Sequence, residues 1–453
     1  MKVYLDIVAN HTADVIKYRE CAPDLPCPYR SEADYPYSRR GGVDGPAINS
    51  GFAGADAPHQ TTDNFSRLVS PDWAYTPYAP RAEAHLKKPE WLNDPIYYHN
   101  RGDSIFRGES SENGDFAGLD DLFTENPRVV QGFIDIYGRW IDDFGIDGFR
   151  IDTARHVDPE FWQAFVPAML ERARLRGVPH FHIFGEVADP DPATLARFTR
   201  VDRYPADLDF AFQAAAVEVI AKGGATERLA KLYAVDPLYA GGEAGALAQP
   251  LFLGNHDMGR FAHFVREANP KASDEEVLQR VILGHALMFF TRGQPVVYAG
   301  DEQGFAGLGG DQDARESLFA SRVPQYAHER LLGSASTPAV ANFNPHHPIY
   351  RALAGMAALR KADPALRRGL QTVRAYGDGP GLFAVSRQMA GAAGETLVAF
   401  NTSTQPIEAQ IKVDFASAHW TAERGPCRSE ASAPGSYQVR VAALDYVICR
   451  GQP

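Results

Sequence analysis

The chain has 453 residues, a length that predicts one large domain together with a smaller one. Apolar residues (45%) and charged residues (23%) stand in the balance of a globular protein, which excludes a disordered or collagen-like chain. The 45 Lys and Arg residues against 57 Asp and Glu residues give a net charge of −12, which argues against nucleic acid or a membrane surface as the partner.

Strand-like and helix-like segments alternate along the chain up to about residue 362. A strand is predicted at residues 2–8, and residues 12 to about 118 form a long irregular stretch of the kind that carries function. The predicted elements that follow are helix 126–145, strand 148–152, helix 159–176, strand 180–186, strand 204–208, a helix to about 222, strand 250–254, helix 274–291, strand 295–299 and helix 346–362. The apolar run within helix 274–291 is too short to cross a bilayer. Strands that alternate with helices predict a parallel sheet.

The sequence changes character after about residue 365. Short strand-like runs separated by turn residues lie at 369–376, 381–390, 395–403, 407–413, 436–443 and 445–450. This pattern predicts a small antiparallel β-sandwich. The expected organisation is therefore an α/β domain over residues 1–364, with residues 12–118 inserted into it, and a β-sandwich domain over residues 365–453.

The four cysteines form two local pairs. Cys21 and Cys27 are six residues apart, and Cys427 and Cys449 bracket the last segment of the chain. Local pairs predict two disulfides in an exported protein, although four unrelated thiols are the alternative. The cysteine pairs indicate an exported protein. The first residues, however, lack the basic, apolar and small-residue regions of a signal peptide, so the two signals disagree about export.

Polar clusters follow four of the predicted strands. They lie at residues 6–11 (DIVANH), 148–156 (GFRIDTARH), 184–187 (FGEV) and 255–257 (NHD). The carboxyl ends of the strands are where a parallel β/α barrel has its active site. The pattern predicts several carboxylates in one cleft, with an arginine that keeps one of them ionised. Two carboxylates about 5–5.5 Å apart are what a retaining glycosidase requires.

These four motifs, in this order, resemble the conserved regions of the α-amylase family, glycoside hydrolase family 13. Gly118-Leu-Asp-Asp121-Leu loosely resembles a fifth motif of that family. The resemblance implies a (β/α)8 TIM barrel with an inserted domain and a C-terminal β-sandwich. It also implies retaining hydrolysis of α-1,4-glucosidic bonds in starch, glycogen or maltooligosaccharides. A single motif of this kind can instead be a structural carboxylate or a helix cap.

The resemblance assigns roles to individual residues. Asp152 is expected to be the nucleophile, Arg150 to keep Asp152 anionic, and Glu186 to be the general acid/base. Asp257 resembles the third carboxylate, which binds sugar hydroxyls. The further expected sugar contacts are His11, Arg155, His156, His256, Asp311 and Arg315. For the histidines the alternative is a core or capping role, and for Asp311 with Arg315 it is a surface salt bridge.

The resemblance also implies a structural calcium ion. Its expected ligands are Asn10, Asp121 and the backbone carbonyl of His156, since oxygen ligands suit Ca²⁺. Asn10 and Asp121 are otherwise turn residues. The sequence Arg155-His156 resembles the Lys-His of α-1,4-cleaving members and favours that linkage.

The chain departs from the family pattern at its start, because two strands normally precede the motif at residues 6–11. Six barrel strands are therefore expected, the third to the eighth, with an extension of roughly 80–120 residues upstream that carries the signal and the first two βα units. We expect an extracellular or periplasmic monomer that acts on α-glucan. The alternatives are a transglycosylase or α-glucosidase with the same site, and a non-catalytic glucan-binding relative.

Overall fold

The computed structural model describes residues 1–22 and 25–453. The chain divides into two compact units, one of Met1–Ala188 with Phe198–Asp207 and one of Asp189–Arg197 with Leu208–Pro453. In the described part of the chain, no helix combines the length and the apolar character needed to cross a membrane. The domain boundary between residues 364 and 365 stays a prediction.

The first unit is built on a four-stranded parallel sheet in the order β1-β6-β7-β8. Its strands are β1 Tyr4–Val8, β2 His11–Thr12, β3 Lys17–Tyr18, β4 Pro77–Tyr78, β5 Asp120–Asp121, β6 Gly148–Asp152, β7 His182–Gly185 and β8 Ala206–Asp207. Its helices are α1 Thr62–Phe65, α2 Ser110–Asn113, α3 Pro127–Phe144 and α4 Pro159–Arg176, and α5 Pro192–Arg200 has residues in both units. Strand β8 is shorter than predicted, since Pro205 precedes it and has no N–H to donate.

Helices α3 and α4 begin and end within two residues of the predicted positions, because the sequence marks both ends. The side chains of Asn126 and Asp158 accept N–H groups of the first turns, and a proline follows each of these caps. Gly145 at φ 61° and Gly177 at φ 87° end the helices in the left-handed conformation.

The described residues of 12–118 contain little regular structure, as predicted. The antiparallel pair β3 with β4 lies within this range, and the pair β2 with β5 joins its two ends. The predicted Cys21–Cys27 disulfide is present. Side chains stabilise the remainder, including a buried ion pair between Lys87 and Asp120.

The second unit contains a two-stranded parallel pair and a larger antiparallel region. Its strands are β9 Pro250–Leu251, β10 Gln294–Pro295, β11 Leu370–Ala375, β12 Leu382–Gln388, β13 Glu395–Asn401, β14 Ile407–Lys412, β15 His419–Arg424, β16 Ser436–Val441 and β17 Asp445–Gln452. Its helices are α6 Phe210–Ala216, continued by a π-helical turn Val217–Ala221, α7 Glu227–Tyr233, α8 Glu243–Ala246, α9 Phe261–Ala268, α10 Asp274–Phe290, α11 Pro324–Ala327, α12 Pro348–Ala362 and α13 Pro364–Arg368. The pair is β10 with β9.

Each of the six predicted parallel strands overlaps an observed strand, β10 by Pro295 alone, but together they differ from the expected barrel. Over residues 1–22 and 25–453 they form the four-stranded sheet and the β9–β10 pair, and no closed barrel is hydrogen-bonded. The strands β8, β9 and β10 are only two residues long each. Prolines at positions 205, 250 and 295 shorten them, because proline cannot donate to a sheet.

The C-terminal strands confirm the predicted antiparallel β-structure. A five-stranded sheet has the order β11-β12-β13-β17-β15, and β14 pairs with β16. Both sheets contribute to one apolar core, in which Trp420 stacks on Tyr437 with ring centroids 4.1 Å apart. The predicted Cys427–Cys449 disulfide is present and borders this core.

Candidate active site

Two neighbouring parallel strands place an arginine among carboxylates. In the register of β1 against β6, Asp6 lies beside Arg150 and Val8 lies beside Asp152. Because side chains alternate along a strand, Arg150 and Asp152 are on the same face of the sheet. The alternation thus brings the cation and the predicted nucleophile together.

The Arg150 guanidinium contacts three carboxylates. Its Nη1 lies 2.5 Å from Oδ1 of Asp152 and 2.8 Å from Oδ1 of Asp6, and its Nη2 lies 2.8 Å from Oε1 of Glu186. The Arg150 side chain is only 12% exposed, so water screens these pairs weakly. Burial by itself would lower the pKa of Arg150, but Glu186, Asp6 and Asp152 raise it above its ordinary value. Arg150 is therefore a permanent cation that binds both predicted catalytic carboxyls.

Glu186 follows β7 and is held against the end of β6. Its N–H donates to the Ile151 carbonyl at 2.8 Å, and its carbonyl accepts the Ala154 N–H at 3.1 Å. Burial raises the pKa of Glu186 to about 7, Arg150 opposes this rise, and Asp152 adds to it. Glu186 can therefore hold a proton near neutral pH and release it there, as a general acid/base must.

Two of the predicted sugar-binding histidines lie beside aromatic rings of the insert. The His11 ring stacks on Phe116 at 5.2 Å, and the His156 ring packs edge-on to Phe116 at 5.3 Å. His156 Nδ1 also donates to the Ser111 carbonyl at 2.7 Å. Burial lowers the pKa of both histidines, so at neutral pH both are uncharged. Arg155 Nη1 donates to the backbone carbonyl of residue 188 at 3.1 Å.

Asn10 and Asp121 are brought together by the pairing of β2 with β5. The Asn10 carbonyl accepts the Leu122 N–H at 2.9 Å, and both Asn10 and Asp121 are buried. Asp121 Oδ2 accepts from His99 Nδ1 at 2.6 Å, whereas Asp121 Oδ1 is buried with no hydrogen-bond partner in the described residues. Burial raises the pKa of Asp121 well above its ordinary value. A buried carboxylate oxygen without a hydrogen-bond partner fits an oxygen-bound cation.

This set would contain one carboxylate, one amide and one backbone carbonyl. The described ranges contain no group of three or more His, Cys, Asp or Glu side chains that could hold a metal ion. The predicted calcium ligands differ from such a group, because only one of them is a carboxylate side chain. His156, the third predicted ligand, is linked to His11 through Phe116.

The other predicted residues come together in the second unit. Arg315 Nη2 lies 3.1 Å from Oδ1 of Asp257 and 2.7 Å from Oδ1 of Asp311. His256 Nε2 lies 3.2 Å from Oδ2 of Asp257. The predicted pair Asp311–Arg315 is therefore present, and it connects directly to the third predicted carboxylate.

Comparisons with known proteins show the family of the chain. Residues 1–369 match the family model described as alpha amylase, catalytic domain. The chain belongs to the α-amylase family. An α-amylase of Streptomyces lividans is 45% identical over 410 residues, which cover 90% of this chain and 43% of that protein. A β/α-amylase of Paenibacillus polymyxa is 29% identical over 297 residues, which cover 64% of this chain and 21% of that protein.

Solved structures show the α-amylase fold as well. An α-amylase of Geobacillus thermoleovorans, crystallised with acarbose, superposes with a TM-score of 0.64 at 23% identity over 80% of this chain and 74% of that one. The resemblance predicted from the four motifs is thus confirmed at the level of the family. The chain spans 43% of the length of the Streptomyces α-amylase.

Sequence reasoning missed several groups that contact predicted site residues of this α-amylase family member or lie next to them in the chain. Asp6 opens the first motif, yet only the β1–β6 register shows that it binds Arg150. Phe116, which packs against both histidines, lies in the irregular insert, where no periodicity marks it. Glu316 and Glu329 gave no sequence signal, although Glu316 directly follows the predicted residue Arg315.

Proposed function

We propose that the chain is the catalytic part of a retaining α-glucan hydrolase of the α-amylase type, which cleaves α-1,4 bonds in starch, glycogen or maltooligosaccharides. One observation carries the proposal: Arg150 binds both Asp152 and Glu186, and burial raises the pKa of Glu186 to about 7. A carboxylate beside a permanent cation suits a nucleophile, and a carboxyl that is protonated near neutral pH suits a general acid.

The proposed reaction has two steps. In the first, a carboxylate oxygen of Asp152 bonds to the anomeric carbon while the glycosidic bond breaks, and Glu186 gives its proton to the departing oxygen. In the second, Glu186 takes a proton from water, the water oxygen bonds to the anomeric carbon, and the bond to Asp152 breaks. Two inversions leave the configuration of the sugar unchanged.

Other residues are proposed to bind and orient the sugar. The uncharged imidazoles of His11 and His156 can exchange hydrogen bonds with sugar hydroxyls, and Phe116 fixes the two rings. Asp257, whose carboxylate is held by Arg315, is proposed to accept hydrogen bonds from sugar hydroxyls near the transition state. Further proposed contacts come from Arg155, His256, Asp311 and Arg315.

We further propose that Asn10, Asp121 and the His156 carbonyl bind a structural Ca²⁺. The buried and unpartnered Oδ1 of Asp121 supports this, since the ion would supply the missing partner and compensate the negative charge. When bound, the ion would stabilise the fold. Strands β2 and β5 pair His11 with Asp121, so Asn10 and Asp121 already lie at neighbouring strand ends next to His11.

We also propose that the protein acts outside the cytoplasm, in an extracellular or periplasmic compartment, as a monomer. The two disulfides support export, because such bonds persist in oxidising compartments.

The proposed function is tested on maltoheptaose and soluble starch with the chain and three variants. Asp152→Asn and Glu186→Gln are each expected to lower the rate by about a thousandfold or more. Glu171→Gln, which alters an exposed carboxylate paired with Arg174, is the matched control and should keep the parent rate. A catalytic variant that keeps more than about a tenth of the parent rate would remove its assignment. Products longer than the substrate would indicate transfer in place of hydrolysis.

A further inference from the structure

Two loops of the second unit meet at Asp257. We call residues 255–260 the Asp257 loop and residues 305–316 the Arg315 loop. The Asp311 N–H donates to the Asp257 carbonyl at 2.9 Å, and Arg315 Nη2 binds the Asp257 carboxylate at 3.1 Å. The position of the Asp257 carboxylate therefore depends on where the Arg315 loop is held.

Buried carboxyl groups anchor both ends of the Arg315 loop. At its start, Glu329 Oε1 accepts the N–H groups of Ala306 at 2.8 Å and Gly307 at 2.9 Å. At its end, Glu316 Oε2 accepts from Arg260 Nε at 2.7 Å, and both of these side chains are 0% exposed. Because Arg260 belongs to the Asp257 loop, Glu316 joins the two loops to each other.

The two anchoring carboxyls also meet each other. Glu316 Oε1 and Glu329 Oε2 are both buried, and neither has a conventional donor partner in the part of the chain that the structure describes. Arg260 also pairs with Asp301 at 2.7 Å, so its guanidinium already serves two carboxyl groups, those of Asp301 and Glu316. Burial and the hydrogen bond with Glu316 raise the pKa of Glu329 to about 7. One proton between adjacent buried carboxyls satisfies both orphaned oxygens.

We infer that Glu316 and Glu329 share one proton, and that this proton keeps the Arg315 loop where Arg315 holds Asp257. Glu316 and Glu329 are thus positioning residues for sugar binding by Asp257, an assignment that rests on the proposed function. When the proton leaves, two buried carboxylates repel each other across the ends of the loop. The carboxyl pKa is raised in the folded state, so the stabilisation is full below the unfolded value of about 4.5 and is lost as pH rises through about 7.

Other charged and titratable groups surround the pair. Arg260 is surrounded by Tyr298, Asp301 and Glu302, and His285 lies beside Asp301. The two loops also carry Asp257, Asp311 and Arg315. His328 and Arg330 are the sequence neighbours of Glu329, and Arg330 binds Asp274. All of them remain in Glu329→Gln. A comparison of that variant with its parent therefore isolates the shared proton.

The first test measures glucan binding in a Glu186→Gln background, which removes the titration of Glu186 itself. The dissociation constant of maltoheptaose is measured by calorimetry from about pH 6 to about pH 8.5. We expect it to rise about fivefold or more across this range, and to stay within about twofold when Glu329→Gln is added. The carboxamide keeps an oxygen for Ala306 and Gly307 and gives Glu316 a permanent N–H donor. The same pH dependence in both proteins would overturn the inference.

The second test measures melting temperature over the same pH range and needs no substrate. The parent should lose stability relative to Glu329→Gln as pH rises through about 7, whereas Glu275→Gln on helix α10 should follow the parent. Parallel melting profiles of parent and Glu329→Gln would refute the shared proton. If the melting profiles diverge as expected but the parent does not hydrolyse glucan, only the proposed function is contradicted.

Discussion

Replacing Arg150 with glutamine removes the cation that three carboxylates share. The side chain is 12% exposed and lies within 2.8 Å of Asp6, Asp152 and Glu186, so glutamine leaves partly buried negative charges without a counter-ion. Removing one partner of such a pair costs roughly 3–5 kcal/mol of folding stability. A loss of roughly 3 kcal/mol in transition-state stabilisation corresponds to a rate about a hundredfold lower.

The same change has a defined effect on the pH profile. Glu186 has a pKa of about 7, and Arg150 opposes its rise, so without Arg150 the pKa of Glu186 increases further. The acid must be protonated, so the alkaline limb of kcat/KM should move to higher pH, by roughly one pH unit or more.

The assay is the pH dependence of kcat/KM on maltoheptaose for the chain and Arg150→Gln, with melting temperatures beside it. Arg172→Gln is the matched control, because Arg172 pairs with a half-exposed carboxylate of Asp142 at 2.7 Å. That variant should change the rate and stability little, since pairs near the surface contribute roughly 0–1 kcal/mol. An unshifted alkaline limb in Arg150→Gln, or a rate within about tenfold of the parent, would refute the reasoning.

Three further outcomes are expected. Ca²⁺ should raise the melting temperature and EDTA should lower it in the chain but not in Asp121→Asn, and identical curves with and without the ion would reject the calcium site. Cys427→Ser should cost about 3 kcal/mol of folding stability, because the bond to Cys449 closes a loop with a separation of 22 residues; an unchanged unfolding free energy under oxidising conditions would contradict this. Gly259→Ala should lower both stability and glucan binding, since at φ +108° its Cβ would lie 2.6 Å from a backbone carbonyl of the Arg315 loop. Gly223→Ala, at φ +68° in open space, should affect stability alone, and equal binding losses in the two variants would count against the loop contact.

The sequence predicted the long helices well because local signals mark them. Helices α3 and α4 have capping side chains, prolines in the first turn and a glycine at the end, and their bounds agree with the predictions. Strand β15, His419–Arg424, was missed, because its exposed residues 421 and 422 break the apolar alternation and a bulge interrupts its pairing with β17. Short helices such as α9 were missed because two turns carry too little periodicity.

Within the candidate site, the motifs predicted which types of residue are present. They did not predict the register of the strands, which decides which of these residues touch. Arg150 and Asp152 could be paired from the two-residue period of a strand. The contact of Arg150 with Glu186, however, depends on how β6 and β7 align, and no local pattern encodes that. The pair Glu316 and Glu329 is set by loops without periodicity, so no sequence pattern predicts that the two carboxyls meet.

The central claim is that Asp152 and Glu186 carry out a double displacement. Proton NMR of the first products released from maltoheptaose, recorded before mutarotation, tests it most directly. We predict that the new reducing end appears as the α-anomer, and that Asp152→Asn and Glu186→Gln release almost none of it. Initial release of the β-anomer would contradict the account.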